Sequence, residues 1–230
     1  MEIKLFYITL GMVFLHYIAK WGMLKYPKGL WHNVFKELKE WANAGLWAVI
    51  IALFVMSFIV QAFKIPSGSM RDTLQIGDHL FVNKFIYGIR ILWNKENRIF
   101  QFKSPNRKDI IVFEYPPEPS KDYIKRCIGL PGDTVKIEDK KVYVNGNLLK
   151  EPYVTHKDPN IYSNAGYIPE NLRPRDNYGP VDIPDGKYFV LGDNRDFSAD
   201  SRYWGLLPGE YIKGRALFKY WPPSRIGLIE

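Results

Sequence analysis

The stretch Ile65-Pro-Ser-Gly-Ser-Met-Arg-Asp-Thr-Leu74 sets two serines, Ser67 and Ser69, about a flexible glycine, just past a long apolar run ending at Phe63-Lys64. A serine hydroxyl is a weak nucleophile until a neighbouring base takes its proton. The Gly-x-Ser-x-Gly elbow that would pair it with a histidine is absent. So is a lysine three positions on, since Met70 follows Ser67 and Asp72 follows Ser69 at that spacing. His79 and His156, downstream of the apolar run, lie in no recognisable triad context. Lysine elsewhere remains, and Lys125 sits in the otherwise apolar Asp122-Tyr-Ile-Lys-Arg-Cys-Ile-Gly-Leu-Pro-Gly-Asp133, just before a turn.

A lysine acts as a base only when neutral. Its ordinary pKa is ~10.4, and burial in an apolar surround lowers this by several units. Tyr123, Ile124, Cys127 and Ile128 would supply such a surround. Both bland readings stay open on these residues alone, because Ser-Gly-Ser is ordinary loop composition and a strand lysine is more often exposed. A third block, Gly192-Asp-Asn-Arg-Asp-Phe-Ser-Ala-Asp-Ser-Arg-Tyr-Trp-Gly205, reads as a polar loop needing an internal network to stay ordered.

The elements that must position these groups are mostly strands. After residue 64 the chain shows short apolar stretches punctuated by Gly, Pro and Asp, the pattern of an all-β domain. Strands are expected over 79–84, 109–115, 122–128, 134–138, 141–144, 187–191 and 216–221. Asn145-Gly146 is a tight-turn signal, and 134–144 reads as a hairpin about Asp139-Lys140. Pro131-Gly132-Asp133 and Pro184-Asp185-Gly186 mark further turns. Residues 88–108 and the Pro-, Asn- and Tyr-rich 150–180 read as loop or cap excursions.

Residues 1–64 read as a membrane anchor. Trp41 to Phe63 holds no charge over roughly 23 positions, against the ~20 that span hydrocarbon, and Trp41 and Trp47 suit an interfacial belt. Leu5 to Ala19 is shorter, but Lys4 and Lys20 would snorkel, giving a first helix over about 4–24 and a second over about 41–63. The connecting loop, about 20–40, carries five lysines against two glutamates and is expected on the cytoplasmic side. Residues 65–230 then form an extracytoplasmic domain.

Of the net charge of +8, +4 falls in residues 1–64 and +4 in residues 65–230. No basic run interleaves with aromatics, so nucleic acid is not an expected partner; phospholipid head groups are. One cysteine, Cys127, and four scattered histidines (16, 32, 79 and 156) exclude a Cys/His zinc pattern, and no metal or cofactor is expected.

Taken together, Ser67-Gly-Ser-Met70 with Thr73-Leu74, Gly77-Asp78, Asp109-Ile-Ile-Val-Phe113, Lys125-Arg126 with Gly129-Leu-Pro-Gly-Asp133, and Gly192 to Gly205 resemble the bacterial type I signal peptidases. These are membrane-bound serine endopeptidases that remove signal peptides from exported preproteins. The resemblance runs from about Phe63 to Pro222-Pro-Ser-Arg-Ile-Gly227, and the two-helix anchor is similar to that of the Gram-negative members. It implies an antiparallel-sheet catalytic domain at the outer face of the cytoplasmic membrane. It further implies Ser69 as nucleophile, Lys125 as general base, and an oxyanion hole from the Ser67 hydroxyl and the Ser69 N–H. Ser198 would bond and aim the Lys125 amine, while Arg126, Asp193, Asp200 and Arg202 support. Phe63, Ile65, Pro66, Leu74, Val112, Asp122, Tyr123 and Ile124 would line two shallow pockets for small side chains, with Met70 beside them.

One departure is visible. Most relatives carry proline where Asp72 stands, and its absence is expected to loosen that loop. Three other functions compete. A self-cleaving Ser/Lys repressor would lack the anchor and carry a DNA-binding module. A non-catalytic tethered assembly domain would need neither Ser69 nor Lys125. A peptidase dedicated to one pilin-like substrate fits all of these residues.

Overall fold

The computed structural model describes residues 2–91, 94–99, 102–162 and 173–229. The chain divides into two units, Met1–Ile59 and Val60–Glu230.

The first unit is a helical hairpin of α1 (Glu2–Lys25) and α2 (Leu30–Phe54). Pro27, which lacks the N–H a helix needs, and Gly29, at φ +93, make the reversal. Small residues let the helices approach: Ala19 and Ala42 are fully buried, and a Cβ on Gly22 would lie 2.4 Å from the Phe35 ring. His16 Nδ1–H donates to Asn43 Oδ1 at 2.7 Å.

Two expectations are corrected here. The charged stretch 20–40 is not a loop, because Lys20–Lys25 close α1 and Leu30–Glu40 open α2. Lys36, Glu37 and Lys39 are good helix formers, and only Pro27 and Gly29 resist. The run 41–63 is not one helix either. Regular α-helix stops at Phe54, a π-turn covers Val55–Ile59, and Val60–Lys64 is a strand. Its uncharged helical part is therefore Trp41 to Phe54, below the ~20 residues that cross hydrocarbon. Among the described residues no helix is long and apolar enough to cross a membrane.

The second unit is built of antiparallel strands. In chain order they are β1 (Val60–Lys64), β2 (His79–Asn83), β3 (Ile89–Ile91), β4 (Asn94–Ile99), β5 (Ile110–Tyr115), β6 (Glu118–Gly129), β7 (Thr134–Glu138), β8 (Lys141–Val144) and β9 (Asn147–Leu148). The short α3 (Arg173–Asp176) precedes β10 (Tyr178–Asp182) and β11 (Lys187–Leu191). After α4 (Ser201–Trp204) come β12 (Leu207–Pro208), β13 (Ile212–Trp221) and β14 (Gly227–Leu228). The main sheet runs β1-β2-β13-β5-β6-β11-β12, with β14 added to β13; β10-β7-β8-β9 form a second sheet and β3-β4 a hairpin.

Most of the expected strands stand where the short apolar stretches put them, while 122–128 and 216–221 extend backwards to Glu118 and Ile212. The expected hairpin turns about Asp139 (φ 46) and Lys140 (φ 68), and Asn145 (φ 51) with Gly146 (φ 78) makes the next. Two successive positive φ values give the primed turn that matches strand twist. The 150–180 excursion is corrected at its end, since β10 pairs with β7 in the second sheet. Residues 92, 93, 100 and 101 of the 88–108 excursion, and 163–172 of the other, lie outside the described residues.

The core follows the two-residue period of strands. On β5, Ile110 and Val112 join one apolar cluster with Leu80, Val82 and Ile124, while Ile111 and Phe113 join another with Tyr87 and Val190. Phe189 and Leu191 of β11 reach a third, with Val135 and Val142. Strand β6 is shared between two ladders that overlap at Arg126, β5 pairing along Glu118–Arg126 and β11 along Arg126–Gly129. Beyond that point, Asp122–Lys125 has β5 on one side and no β11 partner on the other.

Candidate active site

Ser69 lies in the turn between β1 and β2, and Lys125 lies on β6 opposite Ile111 of β5. Lys125 Nζ stands 2.6 Å from Ser69 Oγ and donates to the Ile124 carbonyl at 3.0 Å. Both side chains are buried, the lysine residue 3 % exposed. Burial pushes the amine down from an ordinary 10.5 to about 8, against the opposing pull of the Asp200 and Asp193 carboxylates. The Tyr123 ring covers it, 5.2 Å from centroid to Nζ. A serine hydroxyl touching an amine that loses its proton near neutrality is equipped for attack on a carbonyl.

The pair opens on a cleft of about 710 Å³. Pro66, Ser67, Gly68, Asp122, Tyr123 and Ile124 line it from the two flanking segments. Among the described residues no hydrogen bond engages the Ser69 N–H, and the exposed Ser67 lines the same cleft.

Of the expected pocket residues, Pro66, Asp122, Tyr123 and Ile124 line the cleft. Ile65, Met70, Leu74 and Val112 do not. They are buried in the apolar cluster that contains Ile124, with Phe63 packed against it, and support the lining instead of forming it. Full desolvation of such side chains competes with display in a pocket, and motif matching does not distinguish the two.

The Gly192–Gly205 loop closes over this arrangement. A Cβ on Gly192 would fall 2.5 Å from the Ser69 carbonyl oxygen, so only glycine permits the approach. Asn194, which the sequence did not single out, donates from its backbone N–H to Ser69 O and from Nδ2 to Gly68 O, both at 3.0 Å. Ser198 differs from expectation. Its Oγ is buried and, among the described residues, makes no hydrogen bond to Lys125, because the amine is directed to Ser69 and the Ile124 carbonyl. Its hydroxyl adds instead to the polar surround of Asp200.

Buried ion pairs hold the loop. Arg126 donates to Asp193 from Nε at 2.9 Å and Nη2 at 2.7 Å, and Thr73 Oγ1 donates to the same carboxylate at 2.6 Å. Asp193 thereby ties the turn carrying Ser69 to the strand carrying Lys125. Arg202 donates to Asp200 from Nε at 2.8 Å and Nη2 at 2.9 Å, and the Gly192 N–H reaches Asp200 Oδ2 at 3.1 Å. Burial pushes the Asp200 carboxyl up, but Arg202 and these donors hold it below the usual carboxylate range.

Asp72 overturns the expected loosening. Its φ is +80, where proline, fixed near −65°, cannot sit. Its Oδ2 accepts from Thr155 Oγ1, and the Thr155 N–H donates to Asp193 O at 2.9 Å. A side-chain tether thus replaces a ring constraint. Asp72→Pro is expected to lower Tm by about 2–4 °C or more, since a proline in an incompatible conformation destabilises. A melting curve unchanged or shifted upward would contradict this backbone assignment.

Residues 38–221 match the family described as signal peptidase, peptidase S26. A signal peptidase I of Pseudomonas fluorescens is 37% identical over 228 residues, covering 84% of this chain and 80% of that protein. A probable signal peptidase I-2 of Synechocystis sp. is 40% identical over 209 residues, covering 88% and 79%. A solved signal peptidase I from Enterococcus faecalis V583 is 35% identical with a TM-score of 0.38, covering 49% of this chain and 97% of that one, and adds nothing to the sequence relationship. The chain belongs to the signal peptidase family, peptidase S26. Its activity is that of a serine endopeptidase of the signal peptidase I type.

Proposed function

We propose that the chain removes signal peptides from preproteins with Ser69 as nucleophile and Lys125 as general base. The observation that carries this is the 2.6 Å approach of a buried amine, its pKa lowered to about 8, to a serine at the mouth of a cleft. Ser69 Oγ attacks the carbonyl carbon after a small residue, and its proton passes to Lys125 Nζ. The tetrahedral oxyanion is received by the Ser69 N–H and the Ser67 hydroxyl, and each such donor is worth ~10²–10³ in rate. Collapse breaks the C–N bond, and Lys125 returns the proton to the departing amine of the mature chain. Water, deprotonated by Lys125, then hydrolyses the acyl ester and frees Ser69.

The substrate adds as an extended strand along the free edge of Asp122–Lys125, with small side chains over the shallow lining of Pro66, Tyr123 and Ile124. A non-catalytic binding domain fits poorly. A desolvated lysine against a serine costs stability, and such groups persist where chemistry uses them.

The helical hairpin is the proposed membrane attachment, with the peptidase unit at the outer face of the cytoplasmic membrane. Phe6, Tyr7, Leu10, Phe14, Trp47 and Ile51 of this hairpin are exposed, an apolar surface suited to lipid and not to water.

The test is cleavage of an Ala-x-Ala precursor by the full chain in detergent, with an acyl group trapped on Ser69 at short times. Because only the neutral amine is a base, the chemical step should quicken as pH climbs through about 8 and level off above it. At pH 7 roughly a tenth of the enzyme is then competent. A rate flat from pH 6 to 9 with chemistry limiting would remove Lys125 from the role. The same burial predicts a sign for stability: the unfolded chain holds the extra proton between about 8 and 10.5, so this residue's contribution improves as pH rises through that window.

A further inference from the structure

The cleft is lined by Pro66–Ser69 and Arg71 from one segment and by Asp122–Lys125 from the other. If the signal-peptide end of a substrate lies over Pro66 and Asp122–Ile124, the chain beyond the cut leaves past Arg71 and Lys157, which also line the cleft. Lys157 reaches this end because Thr155 is bonded to Asp72, placing Lys157 Nζ 3.9 Å from Asp72 Oδ2.

The two ends differ in charge. At the signal end, Asp122 is already matched by Lys213 Nζ at 2.6 Å. At the other, Arg71 and Lys157 face one carboxylate, Asp72, and leave one positive charge over. Asp72 is held below the usual carboxylate range first by the Thr155 hydroxyl, then by Lys157 and Arg71, so it stays ionised and is already engaged. Arg71 is exposed and, among the described residues, forms no ion pair. A peptide carboxylate arriving just after the cut would meet an unmatched guanidinium beside an ammonium already partnered by Asp72, and a lysine there would be repelled.

We propose that Arg71 and Lys157 make this enzyme select preproteins whose mature portion carries an acidic residue within its first few positions. The proposal rests on the signal-peptidase reading above. Exposed charge pairs are individually weak, so the expected Glu-over-Lys preference in kcat/KM is roughly five- to twentyfold at low ionic strength, shrinking towards unity in high salt.

The experiment uses the full chain in detergent and three precursors identical except for Glu, Gln or Lys at the second position after the cut. Wild type should rank Glu, Gln, Lys in falling order. R71E/K157E should invert the ranking, so that turnover of the Lys precursor itself reports a folded protein, and R71Q/K157Q should bring the Glu:Lys ratio close to one. Equal kcat/KM for Glu and Lys in wild type at low salt overturns the proposal, as does an unchanged ratio in either variant. Loss of all turnover in both variants also counts against it, since that would place these side chains in the chemistry. Wild type that cleaves none of the three overturns the signal-peptidase reading itself, an outcome distinct from uniform cleavage.

Discussion

Lys125→Met is expected to reduce precursor cleavage to background, a loss of more than ~10³ in kcat, with the fold retained. Methionine keeps the length and the apolar contacts of the lysine stem while removing the base. The site tolerates it because the amine is already desolvated: an apolar replacement at a residue 3 % exposed removes a cost instead of adding one. Ser69→Ala should match it in activity, and the double variant should be no worse than either single one, since nucleophile and base act as a unit. The measurement is single-turnover cleavage of an Ala-x-Ala precursor together with a melting curve. Undiminished cleavage by a purified, folded Lys125→Met protein would dispose of the proposed dyad. A steep fall in Tm with no change in rate would make the contact structural.

Asp193→Ala should cost about 3–5 kcal/mol, the penalty for leaving a buried charge without its partner. Arg126 is 2 % exposed and Asp193 wholly buried, so neither water nor another carboxylate takes over the guanidinium. The Thr73 hydroxyl loses its acceptor as well. At this chain length the loss corresponds to a Tm lower by roughly 6–20 °C. Activity should fall with it, because the same carboxylate couples the Ser69 turn to the Lys125 strand. Replacing both partners by apolar residues, Arg126→Met with Asp193→Leu, should recover much of the stability but not the rate. That contrast separates positioning from mere bulk stability. A Tm within about 2 °C of wild type for Asp193→Ala would show the pair to be dispensable.

The buried pairs around Gly192–Gly205 also explain why this region gave so little to pattern reading. Gly192, Asp193 and Asn194 look in sequence like residues of any polar loop. Their roles depend on partners far along the chain: Ser69 for Gly192 and Asn194, Thr73 for Asp193. Lys157 is the extreme case. It sits in a Pro-rich stretch without periodicity and is carried to the cleft by Thr155, which bonds Asp72, Asp193 and Arg195.

Local chemistry, by itself, was enough to establish the β-rich unit and its turns. Short apolar stretches bounded by turn residues mark the strands over 79–83, 110–115, 134–138 and 187–191, and Asn145-Gly146 admits few backbones other than a tight reversal. The motifs likewise placed the chain in its family. What awaited the tertiary structure was depth and termination. Apolarity alone does not say whether Val60–Lys64 continues a helix or pairs with His79–Asn83, since strand β1 exists only because an edge of β2 is there to receive it. Nor does it say that Ile65, Met70 and Leu74 are core while Pro66 and Ile124 face the cleft, or that Asp72 turns left-handed where proline was expected. Those outcomes are set by packing between distant segments, which no local window of sequence contains.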